Sequence, residues 1–264
     1  SVDVVPITAA ALLATYDDQL RPAEWTNLAP GTHAETDGPV VRIVGERRGF
    51  VVGPRDLGIG GAELDAVIAR QRDFFAGRGE AVEWKTRSHD LPADIPTRLV
   101  AAGFVAEDRE TVLIGVAEGL AAEPSIPAGV TIRAVTGDTD MRRIAELKSD
   151  VLDDDRSWLA AHLIARVGGG RTVVMVAEAA DEVVSAAWLD FEPGTEFAGL
   201  WGGATHPAWR GRGIYRALVA RRAQLAMARG VRYLQVDASE DSRPILQRLG
   251  FVAVTTTTPY VWTP

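Results

Sequence analysis

One stretch constrains this chain more than any other. An apolar, strand-like run from Phe197 to Thr205 leads into Arg210-Gly211-Arg212-Gly213-Ile214-Tyr215, and a helix-patterned run follows from Ile214 to Arg229. Strand, glycine loop and helix in that order build an anion site. Glycines let the backbone approach an anion closely, and the first amides of a helix have no partner inside it, so they face the ligand with the positive end of the helix dipole behind them. Arg210, Arg212 and Arg216 add local positive charge. Neither Gly-x-x-x-x-Gly-Lys-Ser/Thr nor Gly-x-Gly-x-x-Gly fits the spacing, so the two common nucleotide loops are excluded.

The surrounding pattern supplies the other layers of a fold. Val130 to Ala134 reads as a strand, Thr139 to Leu152 as a helix capped by Asp138, and Trp158 to Val167 as a second helix. Thr172 to Glu178 and Val183 to Phe191 form a hairpin around Ala180-Asp181-Glu182, and Tyr233 to Asp237 reads as a further strand. Ala117 to Gly129 holds two prolines and two glycines and reads as a linker. It divides the chain into residues 1–118 and 130–264.

The first part echoes the second. Val40 to Val44 and Phe50 to Val52 read as a hairpin, Arg55-Asp56-Leu57-Gly58-Ile59-Gly60 repeats the Arg-x-x-Gly-x-Gly spacing, and Glu63 to Phe75 is helix-patterned. Strand Ala81 to Thr86, helix Pro92 to Ala102 and Gly103-Phe104 complete the repeat. Its loop is poorly built for an anion: Pro54 removes an amide at the entrance and Asp56 brings a negative charge.

Arg210-x-x-Gly213-x-Tyr215 resembles the Arg/Gln-x-x-Gly-x-Gly/Ala signature of the GNAT superfamily, the acetyl-CoA-dependent N-acetyltransferases. The lead-in Thr205-His206-Pro207-Ala208-Trp209-Arg210 and the turn Leu249-Gly250-Phe251 resemble that family as well, and the likeness spans most of Val130 to Pro264. It implies an α/β fold of the α+β kind, a mixed and mostly antiparallel sheet with flanking helices. With the echo in the first part, it implies two GNAT-like lobes, the first degenerate and the second complete. The resemblance also implies an acyltransferase that moves acetyl from acetyl-CoA to a primary amine of a small molecule or peptide in a ternary complex. Carried over residue by residue, it assigns Gly203, Ala204 and Thr205 to the pantetheine arm and Arg210, Gly211, Arg212, Gly213, Ile214, Tyr215 and Arg216 to the diphosphate, with an oxyanion donor at the backbone amide of Ala204. Tyr215 departs from the family's small residue.

The proton carriers do not carry over. Gly199 stands where many members have a glutamate base, eleven positions before Arg210, and Leu246 where many have a tyrosine acid, four before Gly250. Glu196, three residues from the family's position, is the first candidate base, followed by Asp190 and Asp237. These gaps keep a second reading open, a non-catalytic acyl-CoA sensor or interaction module. His206 reads as part of a turn. His33, His89 and His162 show no ligand spacing, so no metal is expected.

Composition narrows the partners. A formal charge of −8 disfavours nucleic acid and anionic membranes, and the absence of cysteine removes disulfides and thiol nucleophiles. Ser1-Val2-Asp3 opens a segment without a basic residue before Arg21, unlike a secretory signal, and no apolar run reaches the ~20 residues of a membrane span. A cytoplasmic monomer or homodimer is the expectation.

Overall fold

The computed structural model describes residues 7–264; the reading of Ser1-Val2-Asp3 lies outside them. Two compact units form, one from residues up to Ile114 together with Asp237–Pro264, the other from Gly115–Val236.

The first unit opens with α1 (Ala9–Thr15), a π-helical turn at Tyr16–Leu20 and α2 (Arg21–Thr26). Only Leu12, Tyr16 and Ala23 supply buried apolar surface here, too few for a visible helical stripe, which is why sequence periodicity missed the segment. Strands β1 (His33–Asp37), β2 (Val40–Val44) and β3 (Gly49–Val52) follow as an antiparallel meander. Helix α3 (Gly61–Gly77) then returns the chain to β4 (Val82–Arg87), which lies parallel to β3. α4 (Ile95–Ala101), β5 (Val105–Ala106) and β6 (Glu110–Val116) complete the first pass. Val51, Leu64, Ile68, Phe75 and Leu99 form the centre of its core.

In the second unit α5 (Ala117–Leu120) occupies the expected linker. It buries Ala117 and Leu120, and Gln224 donates to the Ala121 carbonyl at 3.1 Å, so this stretch packs instead of running free. β7 (Val130–Val135), α6 (Asp138–Leu152) and α7 (Trp158–Gly168) come next. The cap of α6 is Gly137, one residue earlier than expected. β8 (Thr172–Ala179) and β9 (Glu182–Phe191) form the hairpin, turned by Ala180 and Asp181 at φ 50 and 63. β10 (Phe197–Thr205), α8 (Ile214–Ala228) and β11 (Tyr233–Ala238) end the unit, with sheet order β7-β8-β9-β10-β11. All neighbours are antiparallel except β10 and β11.

β8 is apolar on both faces because both are covered. Val174 and Val176 pack with α6 and α7, Met175 and Ala177 with α8. A fully buried Leu such as Leu163 or Leu218 contributes about 1.5–3 kcal/mol to such a core.

α9 (Arg243–Leu249) and β12 (Val252–Trp262) follow the second unit in sequence, yet they belong to the first. β12 pairs antiparallel with β4, β5 and β6. The compact units therefore cut the chain differently from a boundary at the 118–130 segment, because the C-terminal strand finds its ladder partners in the first half. Each unit nevertheless repeats one scheme: an antiparallel hairpin, a glycine loop, a helix, and a strand parallel to the one before the loop. Among the described residues no helix is long and apolar enough to cross a membrane.

Candidate active site

β10 pairs with β11 only from Phe197 to Gly199, whereas its pairing with β9 runs on to Thr205. Past Gly199 one edge of β10 has therefore lost its partner strand. Between Gly202 and Ala204 the β9 register slips, with Gly202 and Gly203 at φ 80. Both must be glycine in this conformation, and a Cβ on Gly202 would also lie 2.6 Å from the Trp188 ring.

The hydrogen bonds fix which groups face outward. His206 donates its amide to Val184 at 2.7 Å, and the Ala204 carbonyl accepts from the Ser185 hydroxyl at 3.0 Å, both on the β9 side. Strand alternation then turns the Ala204 amide toward β9 as well and leaves the Gly203 carbonyl, the Thr205 amide and the Thr205 carbonyl on the open edge. The Thr205 carbonyl is taken by Nε of Arg210 at 3.1 Å. The ladder therefore turns the Ala204 amide, read from sequence as the oxyanion donor, toward β9, and the outward amide beside it is that of Thr205.

A buried cation holds the bulge from below. Arg222 on α8 is 2% exposed, donates to its own Leu218 carbonyl at 3.0 Å, and sends Nη1 to the carbonyls of Trp188 and Trp201 at 3.1 and 3.3 Å. No carboxylate pairs with it among the described residues. Burial pushes its pKa down to about 10, with the Tyr215 phenol opposing the shift. Tyr215 lies beside the same bulge, since a Cβ on Gly203 would come within 3.3 Å of its ring, and burial raises the pKa of its phenol.

Beyond the strand, His206 accepts the Ala208 amide at 3.1 Å and starts a short 3-10 turn, Pro207–Trp209. Gly211 and Gly213 take φ 74 and 83, and Gly213 starts α8 without a side-chain cap. The first helical bond runs from the Ala217 amide to the Gly213 carbonyl at 3.0 Å. The amides of Ile214, Tyr215 and Arg216 precede it and remain for a ligand. The Arg212 guanidinium stacks over Trp209 at 4.5 Å, and Arg216 is exposed on the first turn. An open strand edge thus runs into a cationic, uncapped helix start, which suits an extended amide chain ending in phosphates.

The loop of the first unit is closed by its own chain. Asp56 accepts the Gly58 amide at 2.9 Å, Leu57 donates to Leu91 at 3.0 Å, and Leu91 donates to Arg55 at 2.8 Å. Arg21 covers the end of β3 by donating twice to the Gly53 carbonyl, at 3.3 and 3.1 Å, and is held there by Asp90 at 2.5 Å.

The carboxylates read from sequence are separated. Asp190 lies opposite Gly199 in the ladder, but its side chain is 5% exposed and held by Arg166 at 2.5 Å and Thr172 at 2.6 Å. Glu196 sits at the start of β10 beside Arg232 at 3.8 Å, about 26 Å along the strand from Ala204 at the usual rise per residue. Asp237 pairs with Lys85 at 2.5 Å in the first unit. Leu246 is fully buried. Sequence reasoning missed Trp201 and Arg222, whose only signal was a large aromatic beside glycines and an arginine on the apolar face of a helix.

Comparison with known proteins agrees with this geometry. Residues 139–251 match the sequence model of the Acetyltransferase (GNAT) family, a family of acyltransferases that normally use acetyl-CoA. No curated protein matches the chain by sequence. Among solved structures, a GCN5-related N-acetyltransferase from Kribbella flavida superposes with TM-score 0.69 at 18% identity, covering 97% of this chain and 94% of that one. A tandem GNAT protein from the clavulanic acid biosynthesis pathway gives 0.64 at 18%, with 98% and 97% covered. A GCN5-related N-acetyltransferase from Sphaerobacter thermophilus gives 0.62 at 16%, with 98% and 94% covered. These likenesses establish the fold, two GNAT lobes in tandem.

Proposed function

We propose, from the premise that residues 139–251 are a GNAT acetyltransferase domain, that this protein moves acetyl from acetyl-CoA to a primary amine of a small molecule or peptide. The observation that carries the reading is the free edge of β10 running into the uncapped start of α8. The amides of Gly211 to Arg216, with Arg212 and Arg216 beside them, hold the diphosphate. The pantetheine arm runs back along β10 as an added strand, bonding the Thr205 amide and the Gly203 carbonyl.

The amine nitrogen attacks the thioester carbonyl carbon while both substrates are bound. A C–N bond forms, the C–S bond breaks, and the proton lost by nitrogen ends on the departing sulfur. The products are an N-acetyl amine and the thiol of CoA. Charge on the carbonyl oxygen is met by a backbone amide of the Gly202–Gly203 bulge, which the register slip frees from the ladder, and positioning supplies much of the rate. Asp190 and Glu196 do not suit the role of base, one being enclosed and the other remote. Asp237, 8% exposed and paired with Lys85 at 2.5 Å, is enclosed in the same way, so none of the three carboxylates suits the role. We take the first unit to be an architectural lobe, because Asp56, Leu91 and Arg21 fill the places a second cofactor would need.

Thiol release from acetyl-CoA with a panel of amines tests the reading, with product masses 42 Da above the acceptor as an approximate signature of acetylation. Intersecting double-reciprocal lines fit direct transfer. Acetyl-CoA binding without turnover of any amine favours the sensor reading instead.

A further inference from the structure

An amine attacks a thioester only as its free base. An alkylamine that titrates like a lysine side chain is neutral to about one part in a thousand near pH 7.4, so a site for such amines needs a side chain that removes the proton. Beside β10 the place for that side chain is filled. A Cβ on Gly199 would lie 2.7 Å from Nε1 of Trp201, so any larger residue at 199 meets the indole. Trp201 itself is 43% exposed.

The ladder places the neighbours. Trp201 pairs with Trp188 and Gly199 with Asp190, so these four positions share one face of the sheet. On that face Asp190 is enclosed by Arg166 and Thr172, and Nζ of Lys148 lies 5.6 Å from the Trp188 ring. Asp190, the carboxylate in register with Gly199, is thus taken up by Arg166 and Thr172 and is not free to accept the proton of an ammonium. β11 leaves β10 at Gly199, so Trp201 stands where the open edge begins. With the diphosphate on the loop at the far end, the acyl group is presented toward this indole.

We infer that the acceptor is an aromatic amine of low basicity, stacked on Trp201 and already neutral at physiological pH, so that no carboxylate is needed at position 199. This rests on the proposed acetyl transfer and names its substrate class. The ring lies on the indole, and the nitrogen attacks the thioester carbonyl. The proton it sheds goes to the leaving thiolate, giving an N-acetylarylamine and CoA thiol. Ring-on-ring contact adds to the burial of apolar surface and orients a flat acceptor. An exposed indole also attracts an alkylammonium through cation–π attraction, but that holds the form that cannot attack.

The test uses the full chain, acetyl-CoA and two acceptors matched in ring and substituent, 4-methoxyaniline and 4-methoxybenzylamine. The aniline should show at least ~10-fold higher kcat/KM near pH 7.5, with a rate nearly flat from about pH 6.5 to 8.5. Trp201→Ala should raise KM for the aniline about 10-fold and leave acetyl-CoA affinity within about twofold, while Trp201→Phe should keep most of the affinity for the aniline. Preference for the benzylamine, or an unchanged KM for the aniline in Trp201→Ala, overturns the aromatic-amine assignment and leaves acetyl transfer standing. Acetyl-CoA binding with no turnover of any amine overturns both.

Discussion

Asp56 Oδ1 accepts the amide of Gly58 at 2.9 Å. Gly213, the matching residue of the second glycine loop, starts its helix with no side-chain cap. Both following helices begin without a side-chain cap, so the difference lies in the loops: the first places the Asp56 carboxylate on its central glycine amide, and the second, with Gly211 at the matching position, carries arginines and no carboxylate.

This contrast gives a controlled pair of variants. Gly58 and Gly213 sit at φ 68 and 83, and a Cβ at either position meets nothing closer than 3.9 Å. Gly58→Glu and Gly213→Glu therefore carry similar left-handed strain, about 1–3 kcal/mol each. Only Gly213→Glu should weaken acetyl-CoA binding, by about 2 kcal/mol or more, which is over tenfold in Kd. Calorimetry should give one CoA per chain in the wild type and in Gly58→Glu. Equal losses in both variants would remove the distinction between the loops.

Arg222 should matter to binding more than to stability. Replacing it with Met strips the Trp188 and Trp201 carbonyls of a donor, a cost of about 1–3 kcal/mol, but it also removes a buried cation without a counter-charge. The melting temperature should move by only a few degrees while acetyl-CoA affinity falls about fivefold or more, because the bulge is no longer held. Unchanged affinity in a folded variant would show that the glycines hold the bulge alone.

Glu196→Gln should leave turnover within about twofold, since its carboxylate lies at the opposite end of β10 from the outward amide of Thr205. Initial rates at saturating acetyl-CoA check this. A tenfold loss would return Glu196 to the chemistry.

In the first unit, burial, with Asp237, Glu83 and Asp108 adding negative charge against the pull of Lys85, pushes the Glu110 carboxyl up to about 7. A pKa raised on folding means that the folded state holds the proton more tightly, so stability from this group is full below the ordinary carboxylate range and is lost as pH rises toward 7. Glu110→Gln should therefore be more stable than wild type at pH 8, with the gap closing toward pH 4.5. After discounting for its partial exposure to solvent, the gap is on the order of 1 kcal/mol. Chemical denaturation at the two pH values reads it, and a gap that widens at low pH would contradict it.

The parts of the fold written in local pattern were legible. Phe197–Thr205 carries its bounds in its apolar run and flanking turn residues, and the hairpin between β8 and β9 in the residues around Asp181. The echo of the glycine loop was legible because spacing survives where chemistry has changed. The return of β12 to the first unit was not, because ladder partners distant in sequence leave no periodic mark. The site divides in the same way. Gly202, Gly203, Gly211 and Gly213 announced the backbone, but whether the amide of Ala204 or of Thr205 faces outward depends on register with β9, and one residue reverses it. In sequence Gly199 reads only as an absent base, whereas in the fold the Trp201 indole occupies the space a side chain there would need.

Amide exchange with and without acetyl-CoA tests the central claim most directly, because it reads where the cofactor sits. Binding should slow exchange at the Thr205 amide and from Gly211 to Arg216, and leave the loop from Asp56 to Glu63 unchanged. Protection at the first loop, or none at the start of α8 under saturating acetyl-CoA, would contradict the placement of the cofactor and the acetyl transfer built on it.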